Sequence, residues 1–327
     1  MCEYLGRREF IRLLGGAASS WAIAAHAQQS PLPIVGFLNP RSQSNGEAIA
    51  SSFRQGLRDA GYEEGRNVAV EYRWADGQVD RLLTLATDLV ARRVAVIVAG
   101  GGAWVAAKGA TSSIPIVFTS GLDPVRTGMV KSIHRPEANL TGATFYSGGA
   151  LFEKQIDLLR AFVPNVKRVA LMVHVGLREV ESELQDAEDA ARSNGVALSR
   201  VSVAEAADLG PAFESVDADG MLFTVDPFFD SRPGEIVAGS ARRHILTIYY
   251  LREFAEAGGL AGYGASIRDT YRQAGLYAGR ILNGAKPGDL PVLQPTRFEL
   301  VINAKTAQTL GLSIPATWLG IAGRVIE

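Results

Sequence analysis

Cysteine is almost missing from these 327 residues: Cys2 is the only one. A single thiol cannot close a disulfide within the chain, which excludes a small stapled domain. Histidine is scarce too, and His134, His174 and His244 fall on separate segments without ligand spacing, so a zinc centre has no support. An excess of either charge is absent: 33 Lys and Arg stand against 34 Asp and Glu, a formal net charge of −1. Such a balance provides no electrostatic footprint for nucleic acid or for an anionic membrane. No Gly-x-Ser-x-Gly elbow and no P-loop occurs. Gly100-x-Gly102-x-x-Val105 is an incomplete dinucleotide fingerprint, since its third glycine is missing and it follows the third expected strand rather than the first. Nothing in this inventory requires catalysis, a metal or a cofactor, and none is expected.

What is present begins at the N-terminus. Arg7, Arg8 and Arg12 precede an apolar run from Leu13 to Ala25, which is followed by Ala25-His26-Ala27. A basic start, a short apolar stretch and a small-x-small site make a secretory signal peptide over residues 1–27. The apolar run falls short of the roughly 20 residues that span a bilayer. Arg7-Arg8-Glu9-Phe10-Ile11-Arg12 resembles the twin-arginine export motif, but Gly6 stands where Ser or Thr is usual, so both the Tat and Sec routes stay open. Cleavage after Ala27 removes Cys2, which precedes the apolar run and so cannot be a lipid anchor. It also removes three arginines against two glutamates, leaving the mature chain slightly more acidic. The expectation is an exported protein of the periplasm, of a length that suits two domains.

From Pro33 onward, short β-rich runs alternate with amphipathic ones. Strands are expected at Pro33–Leu38, Val68–Trp74, Val94–Ala99, Ile116–Thr119 and Leu140–Thr144, with helices at Glu47–Ala60, Val79–Ala91, Ala103–Thr111 and Pro124–Ile133 between them. A second series follows, with strands at Val169–Val173, Ala197–Val201, Gly220–Val225, Leu246–Tyr249 and Leu260–Gly264. Its helices are expected at Leu151–Phe162, Glu179–Ser193, Ala207–Val216 and Pro233–Arg243, and Ile267–Asn283 is a further long helix. Phe298–Ile302 and Ala304–Leu310 close the chain as a strand and a helix. Repeated βαβ units imply parallel sheets with right-handed crossovers. The expected fold is α/β, with two doubly wound lobes whose strand carboxyl ends face one cleft.

Several segments carry a family resemblance. They are Phe53-Arg54-Gln55-Gly56-Leu57 with Gly61–Val68, then Ile114-Pro115-Ile116-Val117-Phe118, Asp123-Pro124-Val125 and Asn139-Leu140-Thr141-Gly142. Ala278–Pro287, Leu300–Lys305 and Leu310–Pro315 continue the pattern to the end. In this order the chain resembles the ABC-transporter substrate-binding proteins of the type I periplasmic fold, a group that includes aromatic amino-acid binders. The resemblance implies an N-terminal lobe of residues 33–143 plus 267–290 and a C-terminal lobe of 144–266 plus 291–327. A multi-crossing hinge near Thr144, Ala265 and Pro291 joins them. It implies a monomer that captures an amino acid or similar solute by hinge closure and delivers it to a permease and ATPase in the inner membrane. An exported sensor or binding protein for another organic solute is the alternative, with a nucleotide-cofactor enzyme behind it. A repressor core of the same fold needs a DNA-binding helix-turn-helix where this chain has its signal peptide.

Candidate ligand contacts follow from position at strand carboxyl ends. In the first lobe these are Asn39, Arg41 and Ser42, then Gly101 and Gly102, whose lack of a Cβ permits close approach, then Ser120 and Phe145. Ser42 reads equally as a helix cap, and Trp104 as either a ligand platform or a core residue. Asp123 before Pro124 reads as a cap. In the second lobe the candidates are His174, Asp226, Phe228 and Tyr250. Asp226 suits an α-ammonium group and Arg41 or a helix N-terminus a carboxylate, although Asp226-Pro227 also reads as a plain turn.

Overall fold

The computed structural model describes residues 31–136, 138–175 and 180–327, so the expected signal peptide lies outside the described residues. Residues 34–327 form a unit of their own. Its first series is β1 (Ile34–Asn39), α1 (Gln43–Asp59), β2 (Ala69–Trp74), α2 (Leu82–Ala91), β3 (Val96–Gly100), α3 (Ala103–Ala110), β4 (Ile116–Ser120) and β5 (Leu140–Thr144). The second is α4 (Gly149–Phe162), β6 (Arg168–His174), α5 (Val180–Ser193), β7 (Ala197–Val203), α6 (Leu209–Ser215), β8 (Gly220–Phe223), α7 (Pro227–Asp230), α8 (Pro233–Arg242), β9 (Ile248–Tyr249), α9 (Arg252–Glu256) and β10 (Ala261–Ala265). Then come α10 (Ile267–Leu282), β11 (Phe298–Asn303), α11 (Ala304–Thr309), α12 (Ala316–Ile321) and β12 (Arg324–Ile326).

β1 to β5 form one all-parallel sheet in the order β2-β1-β3-β4-β5. β3 is buried along its whole length, as its unbroken Val-Ile-Val-Ala run requires of a strand covered on both faces. α1 buries Ile49, Ala50, Phe53 and Leu57 on one side, and the Ser42 hydroxyl accepts the Asn45 N–H at its start. The second lobe pairs β7-β6-β8 in parallel. A parallel bridge from Met221 to Thr247 continues this sheet toward the set β9-β10-β11-β12. Both sheets reverse strand order next to their first strand, between β1 and β3 and between β6 and β8. A doubly wound sheet opens its ligand crevice at that point, outside the strand carboxyl ends.

Two sequence expectations are corrected. The helix expected over Pro124–Ile133 is a run of turns. Asp123 does cap it, accepting the N–H groups of Val125 and Arg126, but Gly128 adopts φ +72° and halts propagation. The second sheet is also not wholly parallel, because β11 runs antiparallel to β10. Its path explains this. After β10 the chain joins the first lobe, where α10 packs on α1 so closely that a Cβ on Gly56 would overlap the Arg272 carbonyl. Leu293 then hydrogen-bonds beside β5, to Gly142 and Thr144, before the chain returns as β11. Re-entry from the cleft side reverses the strand. The sequence reading also passed over the short helices α7, α9 and α12 and the strand β12. Trp104 is a core residue, packed with Leu82, Leu89 and Phe118.

Candidate binding cleft

The loops after β1, β3 and β4 meet those after β8 across a small, partly open cavity. Asn39, Arg41, Gly101, Gly102, Ser120 and Phe145 line it from the first lobe, and Val225, Pro227 and Asp230 from the second. Ile267 and Tyr271 of α10 complete the wall. The cavity measures about 30 Å³, room for one or two waters. Gly101 sits at φ +54°, and a Cβ there would lie 2.8 Å from Pro227 Cγ of the opposite lobe. Close approach of the lobes therefore depends on glycine at this position.

One ion pair dominates the cavity. Arg41 Nη2 donates to Asp230 Oδ2 at 2.9 Å, with both side chains nearly buried. Tyr250, itself buried, donates its hydroxyl to Asp230 Oδ1 at 2.5 Å. Burial pushes the Asp230 carboxyl up to about 6, against the opposing pull of Arg41 and the Tyr250 hydroxyl. Burial works against the Arg41 charge as well, but Asp230 together with Tyr271 and Glu253 outweighs it and the Arg41 pKa is raised. Asn39 holds the floor, donating to the Tyr271 hydroxyl at 2.7 Å and accepting the Arg41 N–H. Asn45 Nδ2 reaches the Ser231 carbonyl at 2.9 Å, and Arg126 pairs with Asp186 at 2.8 Å, so further polar contacts cross between the lobes.

Asp226 stands apart from this cavity. Its Oδ1 accepts the Phe228 N–H at 2.6 Å and its Oδ2 faces His174 Nδ1 at 3.0 Å. The turn reading thus describes its geometry, because Asp226 caps α7. Asp226, His174 and Phe228 line a second chamber of about 360 Å³ beside the first. His174 stacks on Phe228 with centroids 4.4 Å apart. Burial lowers the His174 pKa, but the hydrogen bond and charge of Asp226 together with the Ala204 carbonyl outweigh it, and the net shift is upward. Next to Val225 of the inner wall lies the buried Glu183, which accepts the Val225 N–H at 2.7 Å through Oε1 while Oε2 has no partner among the described residues; burial raises its pKa well above the usual range.

Of the expected contacts, Asn39, Arg41, Gly101, Gly102, Ser120 and Phe145 come together in the inner cavity, and His174, Asp226 and Phe228 in the outer chamber. Ser42 caps α1 and Tyr250 supports Asp230 from behind, and neither lines a cavity. Asp230, Tyr271 and Glu183 escaped the sequence reading. The usable signal for Asp230 was its place four residues after Asp226, on the same side of one helical turn. Among the described residues no group of three or more His, Cys, Asp or Glu is placed to hold a metal ion.

Two facing doubly wound lobes with a polar pair in the cleft are a small-solute clamp in outline, and a comparison of families decides the matter. A family model described as ABC transporter substrate binding protein matches residues 35–326. The chain belongs to this family. It is a solute-binding protein of that kind, and a relative named as a tyrosine-binding protein from Clostridioides difficile (strain R20291) is 27% identical to it over 267 residues, covering 80% of this chain and 75% of the relative. A crystal structure of a conserved domain protein from Vibrio cholerae superposes with a TM-score of 0.84 at 26% identity, over 90% of this chain and all of that one. A domain solved in complex with L-Trp, from Streptococcus pneumonia, has the same fold at TM-score 0.84 and 24% identity, again over 90% of this chain and all of that one.

Proposed function

We propose that this chain is the extracytoplasmic component of an ABC importer and that its cleft captures a small zwitterion of the amino-acid class. The observation that carries this reading is the buried Arg41–Asp230 pair, drawn from opposite lobes and meeting at the inner cavity. An amino acid presents the same two charges in reverse, its carboxylate suited to Arg41 and its ammonium to Asp230. A zwitterion therefore exchanges one buried pair for two, leaving no charge unmatched. The role first assigned to Asp226 passes to Asp230, because Asp230 lines the inner cavity beside Arg41 whereas Asp226 lines only the outer chamber. The 27% identical tyrosine-binding relative supports an amino acid as ligand.

The lobes in this reading are residues 33–143 plus 267–290 and residues 144–266 plus 291–327. The ligand favours closure through contacts it makes only when both lobes surround it. A membrane permease with its ATPase receives the loaded, closed form. Residues 1–27 act as a cleaved export signal that places the monomer in the periplasm, and no chemistry on the ligand is assigned to the protein. Thermal-shift measurement of the mature chain against the standard amino acids and small carboxylates tests the reading, since a ligand that binds the native state raises its apparent stability. A concentration-dependent rise with at least one amino acid is expected. A flat response across all amino acids would sink the proposal.

A further inference from the structure

The outer chamber holds chemistry that the inner pair does not use. At about 360 Å³ it falls in the range of small-molecule sites, whereas the inner cavity of about 30 Å³ does not. Its walls come from both lobes: Val79 and Leu82 on one side, Pro227, Phe228, His174 and Arg232 on the other. The apolar members give it a body suited to a ring or a branched chain.

Its charged groups carry both signs, and all but one of them meet a partner of opposite sign or an N–H donor. Asp226 is matched by the Phe228 N–H and by His174. Both His174 nitrogens face acceptors, since Nε2 lies 3.3 Å from the Ala204 carbonyl, so the doubly protonated ring satisfies both contacts. Glu205 accepts the Asp208 N–H in a capping box. Arg232 is different. Its guanidinium carbon lies over the Phe228 ring, 4.4 Å from the centroid, and Nη1 is tied to the Phe228 carbonyl at 2.9 Å and the Ser231 hydroxyl at 2.7 Å. Among the described residues it has no carboxylate partner. Its Nη2 points toward the opposite lobe, 3.8 Å from where a Cβ on Gly77 would stand. This is a cation fixed in place, half-buried, with a nitrogen to spare.

We propose that the outer chamber is a carboxylate-binding subsite for an organic acid with an aromatic or branched apolar body, and that Arg232 is its anion contact. The proposal rests on the cleft being the solute site, and it adds that the ligand, or one class of ligands, carries an acid group at this end. Arginine suits the task because its planar fork pairs with a carboxylate through two parallel N–H bonds.

The test uses two compounds that share an apolar body and differ in charge, 3-phenylpropionate and phenethylamine. Calorimetry on the mature wild type, Arg232→Gln and Arg232→Lys reads their affinities at two salt concentrations. The wild type is expected to bind 3-phenylpropionate and not phenethylamine, and Arg232→Gln to weaken the acid tenfold or more. Arg232→Lys should retain part of the affinity, and the salt dependence should vanish in Arg232→Gln. These last two readouts separate charge from the mere loss of packing on Phe228. Equal affinity in wild type and Arg232→Gln, or no binding of the acid to wild type, overturns the assignment. If amino acids still stabilise the protein in that case, only the chamber proposal falls; if they do not, the solute-binding reading of the cleft falls with it.

Discussion

Arg41 and Asp230 are 189 residues apart in sequence and 2.9 Å apart in the fold, and their contact concentrates the energetics of the cleft. Asp230→Asn leaves the Arg41 guanidinium without its carboxylate and takes away the proposed partner of an amino-acid ammonium, so it is expected to weaken such a ligand by about 2–5 kcal/mol, read by calorimetry. A variant that binds the identified amino acid as tightly as wild type would remove Asp230 from the site. The pH dependence has a definite sign. The Asp230 carboxyl sits at about 6 in the fold against an ordinary value of 3.8, so the native state holds its proton more tightly than the unfolded chain. Its contribution to stability is full below pH about 4 and is lost as pH rises through about 6. The shift corresponds to roughly 3 kcal/mol. Denaturant titrations from pH 4 to 7 should show that component in wild type and not in Asp230→Asn.

At the scale of elements, two close contacts hold the parts of the clamp in register. α10 lies so near α1 that a Cβ on Gly275 would overlap the Phe53 carbonyl. Gly275→Ala should cost about 1–3 kcal/mol by overpacking, a loss visible as a lower denaturation midpoint. The other contact lies across the cleft: Gly101 approaches Pro40 of its own lobe and Pro227 of the other. Gly101→Ala adds a methyl at a positive φ and inside that contact, so it should disfavour the closed form more than it unfolds the protein. Small-angle scattering checks this, with a larger radius of gyration for the variant than for wild type under the same ligand concentration. An unchanged radius would show that the glycine is not needed for closure.

For the whole molecule, the three passages of the chain between sheets are the feature that matters. They follow β5, follow β10 and precede β11, and they tie the two sheets together at three points of the chain. Addition of the identified ligand should reduce the radius of gyration and raise the melting temperature together, because closure and binding are one equilibrium. Export belongs to this scale as well. Cell fractionation with intact-mass analysis should find a periplasmic chain beginning near Gln28, and an uncleaved cytoplasmic chain would contradict the leader.

The sequence alone determined the α/β alternation, the positions of most strands and the loops that reach the cleft. These are local properties: a buried strand reads as an unbroken apolar run, an amphipathic helix shows its period, and glycines mark tight approaches. Arg41, Gly101 and Ser120 were legible because each follows a strand at its carboxyl end. What only the tertiary structure decided is which groups meet there. Asp226 and Asp230 share one short turn, and nothing local tells which of them faces Arg41. The reversal of β11 was hidden for the same reason, since strand direction depends on the route by which the chain comes back from the other lobe. The Arg41–Asp230 contact is set by docking between lobes, because pairing across 189 residues leaves no periodic trace in the chain.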